Sequence, residues 1–346
     1  MLAYDIFLND AFSVAELREQ VDNLVYIPDE LNRLGLFTPD PITTTNVMIA
    51  RNTETLALVP LTERGAQRTR LERDSRNVKY LPTFRYAQED RINSQILQNI
   101  APEGIPFNAA LGRALDEVEK RQRKMMRKLE LTREYARMAA LQGYVLDADG
   151  SIVLDIYDEF GIARPVAVTI DPATLIDGDL RKALYQNVGR AVTQQLRLSG
   201  RNAPTGYIAL CGNDFFDALL TAPEIRQTYV VAMQGQELRQ GFVPYSSFDF
   251  GGIRWMNYQG TVDGTTIAVA TDEAIIIPMG VEDLFTEFRA PGEDMNDANQ
   301  PGREFYSSVV PDVRAPAKFE HVDVDLSTYP LYACLVPEAL MRVALP

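Results

Sequence analysis

Histidine, cysteine and clustered carboxylates are the side chains that most often carry chemistry, and this sequence uses them sparingly. His321 is the one histidine in 346 residues, so multi-histidine metal sites are excluded and any imidazole acid–base step would rest on that residue alone. Cys211 and Cys334 stand far apart in the apolar runs YIALCG and YACLV, without C-x-x-C spacing. Buried free thiols are expected, with a disulfide or a nucleophile as lesser readings. Asp147-x-Asp149-Gly150 resembles the start of a calcium loop but lacks the third carboxylate and the closing glutamate, and reads as a hairpin turn. Asp214 and Asp217 could form an acid–base pair; they fit a helix start and a solvated helix face equally well. No serine elbow follows the strand before them, and neither of the two commonest glycine-rich phosphate loops occurs. No catalytic residue, metal or cofactor is expected.

The elements that would position any functional group belong to an acidic globular chain. Lys and Arg number 34 against 48 Asp and Glu, a net charge of −14, and 46% of residues are apolar. This balance disfavours a dedicated nucleic-acid binder, because phosphate contacts dominate such affinity. No apolar run approaches the length that crosses a bilayer. The first residues, MLAYDIFLNDAF, lack the basic and apolar regions of a secretion signal, so the expected compartment is cytosolic. The length suits two domains, or one body with extensions.

Along the chain, SVAELREQVDNL opens like a capped short helix and PDELNRLGLF reads as another. Residues 39–61, rich in Thr and Val, read as extended. This N-terminal region has the character of an arm that lies on other surfaces. Residues 61–91 hold eight basic residues, including Arg64, Arg68, Arg70, Arg73, Arg76 and Lys79, against five acidic ones. With few large apolar residues before Val78, it reads as a mobile or partner-ordered loop, with a solvated charged loop as the plain alternative. The spacing then predicts one long helix over about 107–142, its stripe formed by Leu111, Leu115, Val118, Met125, Leu129, Ala136 and Ala139, with Gly143 at its end. Its basic cluster, Lys120 to Lys128, interleaves with glutamates and reads as i,i+4 pairing on a solvated face. A hairpin follows around Asp149-Gly150, then a helix over 179–199, then a strand, an Asn213 cap and a short helix before Pro223. Two further strand regions follow, one around the Gly251-Gly252 bend and one over residues 265–280. Residues 281–325 carry eleven acidic residues, among them Glu282, Asp283, Glu287, Glu293, Asp294 and Asp297, against four basic ones. The final STYPLYACLVPEALMRVALP returns to the core.

In this order the arm FSVAELREQVDNLVYIPDELNRLGLFTPDPITTTNVMIA, the loop ERGAQRTRLERDSRNVKYLPTFRY and the terminal STYPLYACLVPEALMRV resemble tailed-phage major capsid proteins of the lambda-type major capsid protein E family. The resemblance implies an α+β Hong Kong-type phage capsid fold with an N-terminal arm, an extended β-hairpin loop, a long spine helix and peripheral and axial domains. It implies an arm over 1–50, the loop and its strands over 51–90, a peripheral domain from 91–149 and 281–328, and an axial domain from 150–280 and 329–346. The implied function is structural: hexamers and pentamers of an icosahedral shell around double-stranded DNA. Scaffolding, portal and decoration proteins are the implied partners, and the shell is assembled in the host cytoplasm. An encapsulin-type nanocompartment is the alternative with the same fold, and a carboxylate enzyme the remote one. Leu24, Tyr26, Leu34 and Phe37 are expected to dock the arm on a neighbour. Arg64, Arg68, Arg70, Arg73 and Arg76 are expected to meet Glu282, Asp283 and Glu287 across a subunit boundary. Some relatives crosslink through a loop lysine, for which Lys79 would be the counterpart; the lambda-type branch relies on decoration proteins instead.

Overall fold

A computed structural model of the chain describes residues 28–53, 75–93, 107–227, 247–261, 267–311 and 321–346. The short helix α1, Glu30–Arg33, buries Leu31, and strands β1 (Thr38–Pro41), β2 (Asn46–Thr53), β3 (Ser75–Pro82) and β4 (Tyr86–Asn93) follow. The extended stretch expected from residue 39 onward is broken in two. Pro39 and Pro41 carry no N–H, and β1 accordingly takes an edge position in a three-stranded sheet of order β1, Phe285–Arg289, Pro330–Cys334.

Helix α2 spans Phe107–Leu141, about 50 Å at 1.5 Å per residue. Strands β5 (Tyr144–Leu146) and β6 (Ile152–Asp155) form the expected hairpin, with Gly150 at φ +83° in its turn. Asp155 then accepts the Tyr157 N–H at 2.9 Å and caps α3, Ile156–Phe160. After β7 (Val168–Thr169) comes α4, Asp179–Leu184, which continues through a π-helical turn, Tyr185–Gly189, into α5, Arg190–Leu198. The expected single helix is thus interrupted. The Gly189 carbonyl at the end of the wide turn accepts hydrogen bonds from Thr193 Oγ1 at 2.7 Å and Tyr207 Oη at 3.1 Å.

Strand β8, Gly206–Cys211, leads into α6, Asn213–Thr221. Here the cap is Gly212 and not Asn213. A Cβ at Gly212 would lie 2.1 Å from the Ala270 carbonyl oxygen, so the close chain crossing demands glycine. Strands β9 (Ser247–Phe250) and β10 (Ile253–Asn257) pair antiparallel around Gly251-Gly252, both at positive φ. The remaining strands are β11 (Glu273–Met279), β12 (Phe285–Arg289), β13 (Tyr306–Pro311), β14 (His321–Thr328), β15 (Pro330–Cys334) and β16 (Met341–Ala344).

Among the described residues four apolar centres result, three of them large. The largest lies on the six-stranded sheet β7-β16-β11-β8-β10-β9, covered by α4, α5 and α6. Trp255 is fully buried there, stacked on Phe215 at 6.0 Å and donating Nε1–H to the Phe250 carbonyl at 3.1 Å. Trp255→Ala is expected to cost about 3–5 kcal/mol, read as a lower denaturant midpoint of the unassembled subunit. A second centre joins Val118, Met125 and Leu129 of α2 to Ile92, Val322, Val324 and Leu326 of the sheet β13-β14-β4. The third packs Val47, Ile49 and Leu81 against Val145, Ile156, Phe288 and Leu331. The C-terminal segment divides, with β15 pairing with β12 and β16 entering the six-stranded sheet.

Candidate assembly interface

The residues singled out for chemistry lie in bland settings. Cys211 and Cys334 are buried free thiols, and burial pushes the Cys211 thiol well above its ordinary value. The carboxylates of Asp147 and Asp149 accept backbone N–H groups of Ala148 and Ser151 at 2.7 and 2.9 Å, as turn residues do. Asp214 and Asp217 lie on the exposed face of α6. His321 Nε2 sits 3.6 Å from Asp323 Oδ2, next but one on the same strand.

A different feature is built for contact. Strands β2 and β3 form an eight-pair antiparallel ladder from Asn46↔Pro82 to Thr53↔Ser75, and among the described residues no third strand joins it. One face is held at the base by Val47, Ile49 and Leu81, and by Lys79 reaching Glu159 at 3.4 Å. On the other face Met48 and Tyr80 lie opposite each other, 55% and 66% exposed. A two-stranded ladder is marginal in water, and one with an apolar outer face gains from being covered. Arg76 lies on β3 opposite Asn52. Arg64, Arg68, Arg70 and Arg73, between the two strands in sequence, fall outside the described residues, as do Leu24 and Tyr26 of the arm.

The acidic segment separates into surface and interior. Glu282 and Asp283 are exposed in the turn before β12, with Asp283 at φ +50° and the Arg201 guanidinium donating to the Glu282 carbonyl. Glu293 is also on the surface, 3.0 Å from Arg85, and Asp294 caps a short turn by accepting the Asn296 N–H. Glu287 is different: it is 4% exposed on β12, 2.7 Å from Arg133 Nη2 and 3.0 Å from Arg289 Nε. Its expected place in a contact between subunits is corrected, because its carboxylate is occupied inside the chain. Leu34 and Phe37 are also engaged within the chain. Both pack partly buried on the chain's own core, Phe37 with ring centroids 5.6 Å from Phe285 and 5.2 Å from Tyr332.

The buried charges around Glu287 were not legible as a unit. Arg133 of α2 donates to Tyr332 Oη at 2.8 Å, Glu287 at 2.7 Å and Glu304 at 2.5 Å. One position on, Glu134 accepts the Leu31 N–H at 2.8 Å and the Arg137 guanidinium at 3.2 Å. These groups clamp α2 to β12, β15 and α1. The only sequence signal was the run TREYAR, whose charges interrupt the apolar stripe as it reaches the centre of the body. Farther toward the N-terminus of α2, Arg121 and Arg123 do pair at i,i+4 with Glu117 at 2.9 Å and Glu119 at 2.8 Å. Burial alone would raise the Glu287 carboxyl, but hydrogen bonds from Arg289 and the charge of Arg133 outweigh it and hold it below the ordinary range. At Glu134 burial prevails over Leu31 and Arg137, and that carboxyl is raised.

The family model described as phage major capsid protein E matches residues 13–345. The chain belongs to that family. The major capsid protein of Salmonella phage Felix O1 (isolate Felix O1-VT1) is 23% identical over 367 residues, spanning 96% of this chain and 96% of that one. Among solved structures, the capsid of cyanophage P-SCSP1u matches with a TM-score of 0.55 at 10% identity, covering 97% of this chain and 94% of that one. A mature capsid subunit of bacteriophage PhiM1 matches at 0.51 and 14% identity, covering 96% and 91%. The fold is the expected α+β phage capsid fold. This member of the major capsid protein E family is a structural subunit of a phage virion shell built from many copies, and not an enzyme. The phage shell is favoured over the encapsulin alternative by the family itself. Among the described residues no helix is long and apolar enough to cross a membrane.

Proposed function

We propose that the chain forms hexamers and pentamers of an icosahedral shell enclosing the double-stranded DNA of a tailed phage or prophage. In this reading it assembles in the host cytoplasm with a scaffolding protein, a portal at one vertex and a decoration protein, and encloses DNA without sequence-specific contacts. The observation that carries the proposal is the isolated β2–β3 ladder, whose apolar outer face has no cover within the chain's described residues and gains one from a neighbour. The peripheral domain is then α2 with the sheet β13-β14-β4, and the axial domain is the six-stranded sheet with its helices. The arm proper is shorter than residues 1–50, since α1, Phe37 and β1 are part of the body. The basic residues between β2 and β3 face exposed acids of a neighbour's segment 282–297.

Co-expression with a scaffolding protein and negative-stain microscopy test assembly directly, and closed shells are expected. Soluble monomers alone would refute the reading. Reversal of Arg68, Arg70 and Arg73 to Glu is expected to block or misdirect shells at low salt. Reversal of Glu282, Glu293 and Asp294 to Lys should then restore them in part. Asp283 is left alone because its positive φ disfavours lysine. Exposed pairs contribute only about 0.2–1 kcal/mol each, but the gain repeats at every subunit contact and is screened by salt. Normal assembly of the loop reversal at low salt would remove the charge contact from the model of the shell.

A further inference from the structure

The basic cluster of α2 divides by residue type. Arg121 is engaged with Glu117 at 2.9 Å and Asp90 at 2.8 Å, and Arg123 with Glu119 at 2.8 Å. The lysines stand apart from this pairing. Among the described residues Lys120, Lys124 and Lys128 form no ion pair, and the first two are exposed while Lys128 is half-buried. Spaced by four residues, they are about 6 Å apart along the helix axis and span about 12 Å. They lie on the side turned away from Val118, Met125 and Leu129, which pack on the sheet β13-β14-β4. The row stops at Leu131, which packs against the largest apolar centre.

Most acids beside the row already have an arginine. Glu89 and Asp90 of β4 share a hollow of about 340 Å³ with Lys124 and Lys128, yet Glu89 is 3.5 Å from Arg91 and Asp90 is the partner of Arg121. Asp116, one turn before Lys120, does not cancel three lysines. The row is therefore a line of positive charge left open in a chain of net charge −14. A lysine ammonium is a compact, flexible point charge that contacts a phosphate without the planar fork an arginine brings to carboxylates. On this helix the arginines at 121 and 123 serve carboxylates, and the lysines remain for another anion. Even spacing along one line suits an anion whose charges repeat along a strand, as those of duplex DNA do.

We propose that Lys120, Lys124 and Lys128 contact the phosphate backbone of the double-stranded DNA enclosed by the shell, without reading its sequence. This rests on the shell reading above and adds to it the face of the subunit that meets the genome. Three contacts per subunit are weak and salt-labile, and the acidity of the rest of the chain confines the attraction to the row.

The test titrates a labelled short DNA duplex with unassembled full-length subunits at low salt, read by fluorescence anisotropy. The triple variant Lys120→Gln, Lys124→Gln, Lys128→Gln keeps good helix formers on an outward face, so its melting temperature should match that of the unmodified chain. It is expected to bind about tenfold or more weakly, with the slope of log affinity against log salt reduced by about 2–3. A control variant with the same change in charge at scattered exposed arginines, Arg33→Gln, Arg254→Gln, Arg303→Gln, should bind nearly as well as the unmodified chain. Equal weakening in both variants assigns the effect to overall charge and overturns the proposal. Acylation of the three lysines, followed by peptide mass spectrometry, should run at similar rates in free subunits and DNA-free shells, and slow when duplex is added to free subunits. Slow acylation already in DNA-free shells assigns the row to an acidic protein surface and likewise overturns it. Absence of lysine-dependent DNA binding in a chain that forms shells removes this inference alone, whereas failure of the unmodified chain to form shells overturns the shell reading on which it rests.

Discussion

Replacing Arg133 with leucine is expected to lower the stability of the unassembled subunit by about 1–3 kcal/mol, because the buried Glu287 carboxylate keeps Arg289 but loses its partner on α2. Urea unfolding of Arg133→Leu against the unmodified chain measures it. Glu304 is 46% exposed at its side chain and can turn to water, so the cost centres on Glu287 and on Tyr332, whose hydroxyl loses its donor. The double variant Arg133→Leu, Glu287→Gln should recover part of the loss, since a neutral amide costs less to bury than a carboxylate left with Arg289 alone. A single-variant loss below about 1 kcal/mol would show that water reaches this junction. The pH dependence follows from the same pair. A carboxyl held below its ordinary pKa contributes stability that is fully present above the unfolded value, about 4.3 for Glu, and is lost as pH falls through its lower folded value. Glu134 acts in the opposite sense. Its raised pKa means the folded state holds its proton more tightly, so its contribution declines as pH rises from the unfolded toward the folded value. Acid unfolding of the subunit should therefore be steeper in the unmodified chain than in Glu287→Gln.

Deleting residues 1–27 is expected to abolish shells and leave a folded subunit, whereas deleting 1–37 should destroy both. The two truncations differ by α1 and Phe37. Leu31 is 1% exposed and its N–H is the backbone partner of buried Glu134, and Phe37 lies among Phe285 and Tyr332. Loss of buried Leu31 costs roughly 2–5 kcal/mol and loss of partly buried Phe37 adds to it, a sum that rivals the whole stability of a typical domain. Thermal melts of the two truncations, with microscopy of the assembled products, separate an arm that bridges subunits from one that completes its own body. Normal shells from the shorter deletion would remove the arm from the list of assembly contacts.

Much of the architecture was legible before any coordinates. The long helix followed from a stripe of Leu115, Val118, Met125 and Leu129 at helical spacing, and the β5–β6 hairpin from Asp149-Gly150. These are local properties, carried by propensity, periodicity and turn geometry over a few residues. What local pattern could not convey is where a charged or apolar residue ends up once distant strands meet. Glu287 reads as one more acid in an acidic stretch, yet β12 lies between β1 and β15 and presents it to Arg133, 154 positions away in sequence. Phe37 reads as part of an arm, yet parallel pairing of β1 with β12 draws it onto Tyr332. The glycine at 212 and the π turn at Tyr185–Gly189 are set by chain crossings and side-chain donors that no window of sequence contains. Composition and periodicity determined a long helix, short strands and opposed charge islands, and the resemblance of the ordered motifs to a capsid family implied the structural α+β chain. Only the tertiary structure decided which of those charges are interior clamps and which stay on the surface, because burial depends on contacts between residues remote in sequence.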